Sequence, residues 1–101
     1  MKEYFVYILQ CADGSYYIGI TNDMEKRLAQ HQEGRDPNAY THTRRPVHLA
    51  CRATFSDVSE AIAWEKQLKR WSRKKKQALI RGDQQALEQY ASRRGGKPRA
   101  K

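Results

Sequence analysis

Cysteine is scarce in this chain of 101 residues: Cys11 and Cys51 stand forty positions apart, with no CxxC pair and no clustered partners. That speaks against a disulfide framework and against a structural zinc site. No apolar run approaches the length of a membrane span. The opening residues, Met1-Lys2-Glu3-Tyr4, lack the apolar stretch and small-residue cleavage site of a signal peptide. A soluble, reduced, cytoplasmic protein is therefore expected. Acid is scarce as well, but only in one part of the chain. Residues 1–65 hold seven basic and nine acidic side chains, whereas residues 66–101 hold thirteen basic and two acidic, and the whole carries +9. So uneven a field favours a polyanionic partner, most simply nucleic acid, over a merely solvated basic face. With 39% apolar residues the chain suffices for one modest core and one domain.

The run from Tyr4 to Cys11 is apolar on both faces of a pleat, which suits a strand covered on both sides. Asp13-Gly14 supplies a hairpin turn, and Tyr16 to Ile20 returns as a second strand. Gly19 inside that strand implies that something approaches its backbone closely. Asn22 or Asp23 begins a helix, Asn22 with Glu25 fitting a capping box, and Gly34 ends it after Glu33. Met24, Arg27, Leu28 and His31 share one face of that helix. A polar loop over 35–46 leads to a third strand, Val47 to Phe55, with Val47, Leu49, Cys51 and Ala53 on one side. Ser56 or Asp57 caps a second helix, Val58 to Trp71, in which Ala61, Trp64, Leu68 and Trp71 recur at helical spacing. A short helix, Arg73 to Ile80, follows Ser72 and stops before Gly82. A last helix is expected from Asp83 to Ala91, and from Arg93 the composition cannot bury a core. The order is ββαβα with extra C-terminal helices: an α+β domain over residues 1–92, built on a small three-stranded antiparallel sheet, with a basic tail at 93–101.

Three groups of residues carry possible chemistry. Glu65 falls within the apolar stripe of its helix, where a carboxylate is costly unless paired or bound to a cation; Lys69, four residues on, is the ordinary partner. Tyr7 and Tyr17 belong to the two hairpin strands and come near each other or simply pack. Arg27 and His31 form an i,i+4 pair whose bland reading is a surface pair folded over the core.

Together these residues point further. Val6-Tyr7, then Tyr17-Ile18-Gly19 ten positions on, Arg27 eight beyond Gly19, His31 four beyond that, and Glu65 on a later helix resemble the GIY-YIG nuclease superfamily. The Tyr40-Thr41, Arg44-Arg45-Pro46-Val47 and Trp71-Ser72-Arg73-Lys74-Lys75 segments resemble its small stand-alone bacterial members, and the likeness covers about residues 3–82. Two positions depart from the pattern. Phe5 stands where the superfamily's first tripeptide has glycine, and no asparagine follows Glu65, although Gln77 lies twelve residues past it.

The resemblance implies a metal-dependent DNA endonuclease of repair or processing that hydrolyses phosphodiester bonds. One divalent ion, Mg²⁺ or Mn²⁺, would be held by Glu65, a single carboxylate suiting an ion that keeps its waters. Arg27 would stabilise charge on the scissile phosphate. Tyr7, helped by Tyr17 and His31, would take the water's proton or orient the water. Tyrosine is a poor base near its usual pKa, so a nearby cation is expected to lower Tyr7. Gly19 would allow the backbone to come close to the site. Lys66, Lys69, Arg70, Arg73, Lys74, Lys75 and Lys76, with Arg44 and Arg45, supply a grip on the nucleic-acid backbone without reading bases. A catalytically weak binding module and a basic RNA-associated protein are the alternatives. DNA against RNA, substrate shape, a protein partner and oligomeric state stay open at this point.

Overall fold

The computed structural model describes residues 2–82. They run β1 (Tyr4–Gln10), β2 (Tyr16–Thr21), α1 (Met24–Glu33), a 3-10 turn (His42–Arg44), β3 (His48–Phe55), α2 (Val58–Lys69) and α3 (Arg73–Arg81). The three strands form one antiparallel sheet in the order β2-β1-β3. The α+β class and the ββαβα order are those read from the sequence. The helix expected at 83–91, the tail from Arg93 and the boundary at residue 92 lie outside the described residues.

β1 is central because it is the strand with apolar side chains on both faces. Val6, Tyr7, Ile8 and Leu9 are all buried. Tyr7 and Leu9 join Cys11, Met24 and Val47 in one core cluster, with Phe5, Tyr17 and Leu28 packed against it. The hairpin turns where Asp13-Gly14 promised. The Asp13 carboxylate accepts from the Ser15 amide and hydroxyl, and Gly14 takes a φ of 86° that favours glycine.

The helix boundaries carry corrections of detail. Asp23, not Asn22, caps α1: its side chain accepts from the Lys26 amide, so the Asn22–Glu25 box is not the cap used. α2 begins under Asp57, whose carboxylate takes the Ser59 amide, and it ends at Lys69, two residues short of Trp71. The chain leaves the helix because Ser72 starts another. Its hydroxyl accepts from Lys75 and caps α3, which closes on Gly82.

β3 departs from simple alternation. Ile8 pairs with Cys51 but Leu9 with Leu49, so Ala50 is an extra residue in the strand. One inserted residue reverses which face the next side chain takes. The bulge therefore parts Leu49 from the face of Cys51 and Ala53, and Leu49 is 38% exposed, while Val47, just before the strand, is buried.

The described residues form two compact units, one reaching Lys69 and one beginning at Arg70. Within the second, the Lys75 ammonium sits 4.1 Å over the Trp71 ring.

The connection between α1 and β3 is held by its own arginines. Arg45 donates from Nε to the His42 carbonyl and from Nη1 to the Gln32 carbonyl at the end of α1. Its guanidinium crosses so close to Gly34 that a Cβ there would stand 2.6 Å from Nη1. Gly34 also carries a φ of 67°. Gly34→Ala is thus expected to cost about 1–2 kcal/mol from the left-handed backbone alone, with an added cost from Arg45. In urea unfolding the added part should disappear when Gly34→Ala is made on an Arg45→Ala background.

Candidate active site

Tyr7 sits in the middle of β1, directly opposite Gly19 on β2. A Cβ at Gly19 would stand 2.6 Å from Tyr7 Cζ and 3.1 Å from Tyr17 Cε2. The close neighbour anticipated at this glycine is therefore the Tyr7 ring itself, which lies across the β2 backbone where any other residue would push it away. Tyr17, two residues earlier on the same face of β2, brings its ring centroid to 6.3 Å from that of Tyr7.

α1 supplies the next two groups from successive turns. His31 is buried, and its Nε2 pairs with the Tyr7 hydroxyl at 3.1 Å. Its other ring nitrogen, Nδ1, pairs with Thr41 Oγ1 at 2.8 Å. Arg27, one turn before, bears on the same Tyr7 hydroxyl through its charge. Glu65 comes from α2, its side chain only 16% exposed, and its charge is also felt at Tyr7. Lys69 pairs with it at 3.2 Å. The ordinary i,i+4 partner and the unusual position are both present.

Burial dominates the electrostatics. The Tyr7 phenol is pushed up to about 12, chiefly by desolvation and then by Tyr17. Arg27 pulls the other way but is outweighed, and Glu65 adds a further rise. The lowering expected from a nearby cation is thus real in sign but too small. His31 is held below its ordinary 6.5, first by burial and then by the Arg27 charge. Near neutral pH the pair is a protonated phenol against a neutral imidazole.

Some site residues carry no signal in sequence spacing. Thr41, 1% exposed, orients His31 from ten residues away because the loop folds back onto α1. Tyr40 stacks on Tyr17 at 6.0 Å with 22° between the rings. Arg44 lies 3.9 Å over the Tyr40 ring while donating to Asp13 at 3.0 Å and to the Tyr40 carbonyl at 2.7 Å. The Tyr40-Thr41 segment stood out in the sequence without a role for either residue. Arg44 and Arg45, read as backbone contacts for nucleic acid, both have partners within the chain. Lys66 is exposed on α2 beside Glu65, and Arg73, Lys74, Lys75 and Lys76 lie on α3.

Comparison with known proteins bears directly on this arrangement. Residues 3–78 match the GIY-YIG catalytic domain family. The chain belongs to the GIY-YIG family. The UPF0213 protein of Bacillus pumilus is 45% identical over 78 residues, covering 77% of this chain and 79% of its own. The corresponding protein of Staphylococcus saprophyticus is 42% identical over 80 residues, covering 79% and 96%. Among solved structures, the UPF0213 protein of Bacillus halodurans has a TM-score of 0.53 at 38% identity, over 80% of this chain and 85% of that one. A protein of E. faecalis has a TM-score of 0.58 at 33% identity, over 81% and 86%. Membership of a GIY-YIG nuclease superfamily implies a nucleic-acid substrate, and its nucleases generally use divalent metal ions. Among the described residues no helix is long and apolar enough to cross a membrane.

The GIY-YIG site offers such an ion one carboxylate. No cluster of three or more His, Cys, Asp or Glu side chains able to hold a metal occurs among the described residues. Glu65 is a hard oxygen donor, sheltered, with its charge felt at Tyr7. That fits Mg²⁺ or Mn²⁺, which keep several waters and take other oxygens from a phosphate, better than an ion needing a closed protein cage.

Two outcomes follow from the geometry. Gly19→Ala forces the Tyr7 ring out of place, so a loss of about 1–3 kcal/mol in unfolding free energy is expected from overpacking, together with loss of the Tyr7–His31 contact seen in His31 NMR shifts. Because folding lowers the His31 pKa, the unfolded chain binds that proton more readily. Its contribution is complete above 6.5 and is lost as pH falls through and below that value. Thermal midpoints taken from pH 8 to 5 should fall more steeply for the parent than for His31→Gln.

Proposed function

We propose that this chain is a divalent-metal-dependent DNA endonuclease that hydrolyses phosphodiester bonds in DNA repair or processing. One observation carries the reading: a neutral imidazole, a guanidinium and a carboxylate all act on a single buried hydroxyl, that of Tyr7. Ordinary aromatic packing explains the two tyrosines but does not call for a buried imidazole against Tyr7, nor for the charges of Arg27 and Glu65 to be felt there.

Glu65 would hold one Mg²⁺ or Mn²⁺, which when bound supplies Lewis-acid polarisation of a phosphoryl oxygen. The chain's own groups do the rest. Arg27 neutralises charge that develops on the phosphate in the transition state. A phenol held near 12 cannot by itself collect a proton at neutral pH, since it already has one. The neutral His31 Nε2, 3.1 Å away, can take the phenol's proton as the phenol oxygen takes one from the attacking water. Tyr7 and His31 thus work as one base, with Thr41 holding the imidazole in line. Tyr17 packs against both rings of the pair, and Gly19 leaves the room they need. The exposed basic residues Lys66, Arg70, Arg73 and Lys74 favour contact with the backbone of the strand, whereas Lys75, expected among them, is buried over Trp71.

Cleavage of single-stranded, duplex and branched DNA, with Mg²⁺, Mn²⁺ or EDTA, tests the reading. Metal-dependent cleavage should vanish in Glu65→Ala and fall about 10²–10³-fold in Arg27→Ala, with DNA binding kept in both. If the parent binds with steep salt dependence but cleaves nothing, the protein is a binding module and the enzyme reading is wrong. For the parent, the rate should rise with pH as His31 loses its proton, with a midpoint below 6.5 and a plateau through neutrality. A flat profile from pH 5 to 8 would remove His31 from the mechanism.

A further inference from the structure

A cavity of about 350 Å³ adjoins the site, between α1 and the loop that follows it. Tyr17, Arg27 and His31 line it together with Gln30, Ala39 and His42. The last three have no part in the hydrolysis derived above. Its wall combines the aromatic ring of Tyr17 with the Gln30 amide and the Arg35 guanidinium. In His42, which also lines it, Nδ1 is buried with no hydrogen-bond partner, so this wall retains unused polar capacity.

A wall of that kind suits a flat group with a π face and both donors and acceptors on its edge. Arg27 lines the same cavity, so the flat group would be joined to an anion there. A nucleotide has this build, with its base one sugar away from its phosphate. Aromatic stacking holds any base, since each has a π face. A base inside a duplex cannot enter: its edge is paired and its faces are stacked. We propose that the cavity takes one unpaired nucleobase of a DNA strand, next to the phosphate held at Arg27, and that the substrate is single-stranded or splayed at the cleavage point. The inference rests on the nuclease reading for what lies at Arg27.

The test is an abasic scan of a single-stranded oligonucleotide, each nucleotide in turn losing its base, bound to the full chain carrying Glu65→Gln. Anisotropy should show one position, beside the cleavage site mapped with the parent, where the missing base costs about tenfold or more in affinity. Ala39→Phe narrows the cavity at a residue the hydrolysis does not use, and on that background the same abasic site should cost nothing. Arg35→Ala, an exposed residue whose ion pair is with exposed Glu33, should shrink the penalty even if Ala39→Phe misfolds. A flat scan, or a penalty unchanged by both variants, overturns the proposal. The two readings fail separately. Metal-dependent cleavage with a flat scan leaves the nuclease and removes the base pocket. A single sensitive position in a chain that cleaves nothing leaves the pocket and removes the nuclease.

Discussion

The Tyr7 ring lies over the backbone of β2 at Gly19, and every other group of the site is placed relative to it. The contact needs a hairpin in register, so that residue 7 faces residue 19, and a residue without a side chain at that point. It also needs a central strand buried on both sides. Once the ring is fixed there, its hydroxyl meets His31 of α1, and the charges of Arg27 on α1 and Glu65 on α2 are felt at it. The fold can be understood as the means of bringing one helical imidazole and two helical charges to bear on one strand hydroxyl.

At that hydroxyl two physical effects compete. Burial disfavours the charged forms of Tyr7 and His31 alike, raising one and lowering the other. Arg27 opposes burial at the phenol and reinforces it at the imidazole. The outcome is a neutral pair rather than a phenolate beside an imidazolium. Proton movement within such a pair separates charge, which a bound phosphate and a cation would favour and a dry interior would not. The resting site is quiet for the same reason that it is buried.

Much of this was legible in the sequence, and the reason differs from residue to residue. β1 announced itself through apolar side chains at every position from Tyr4 to Leu9, a pattern that only a doubly covered strand produces. The face of α1 bearing Met24, Arg27, Leu28 and His31 followed from helical spacing, which is local and therefore readable. Glu65 stood out because a carboxylate in an apolar stripe demands a reason. The bulge at Ala50 was not legible, since a two-residue period contains no hint of where one residue will be skipped. Nor were the partners of Arg44 and Arg45, because a charge in a polar loop looks the same whether it meets solvent or a carbonyl. Thr41 was invisible in its role: nothing short of the loop's path relates it to His31. The direction of the Tyr7 shift was missed because the strength of burial depends on packing that no spacing rule measures.

The loop over 35–46 has no regular structure beyond one 3-10 turn, yet it is tied at several points. Arg45 fastens it to the end of α1, Arg44 to Asp13 in the hairpin turn, and Thr41 to His31. A segment of this length left free would lose much of its conformational entropy only when a ligand arrived, and the affinity would fall accordingly. Here the ordering happens during folding. The wall that carries Thr41 and His42 is preorganised, and binding energy from an incoming strand remains available for orienting the phosphate rather than for shaping the protein around it.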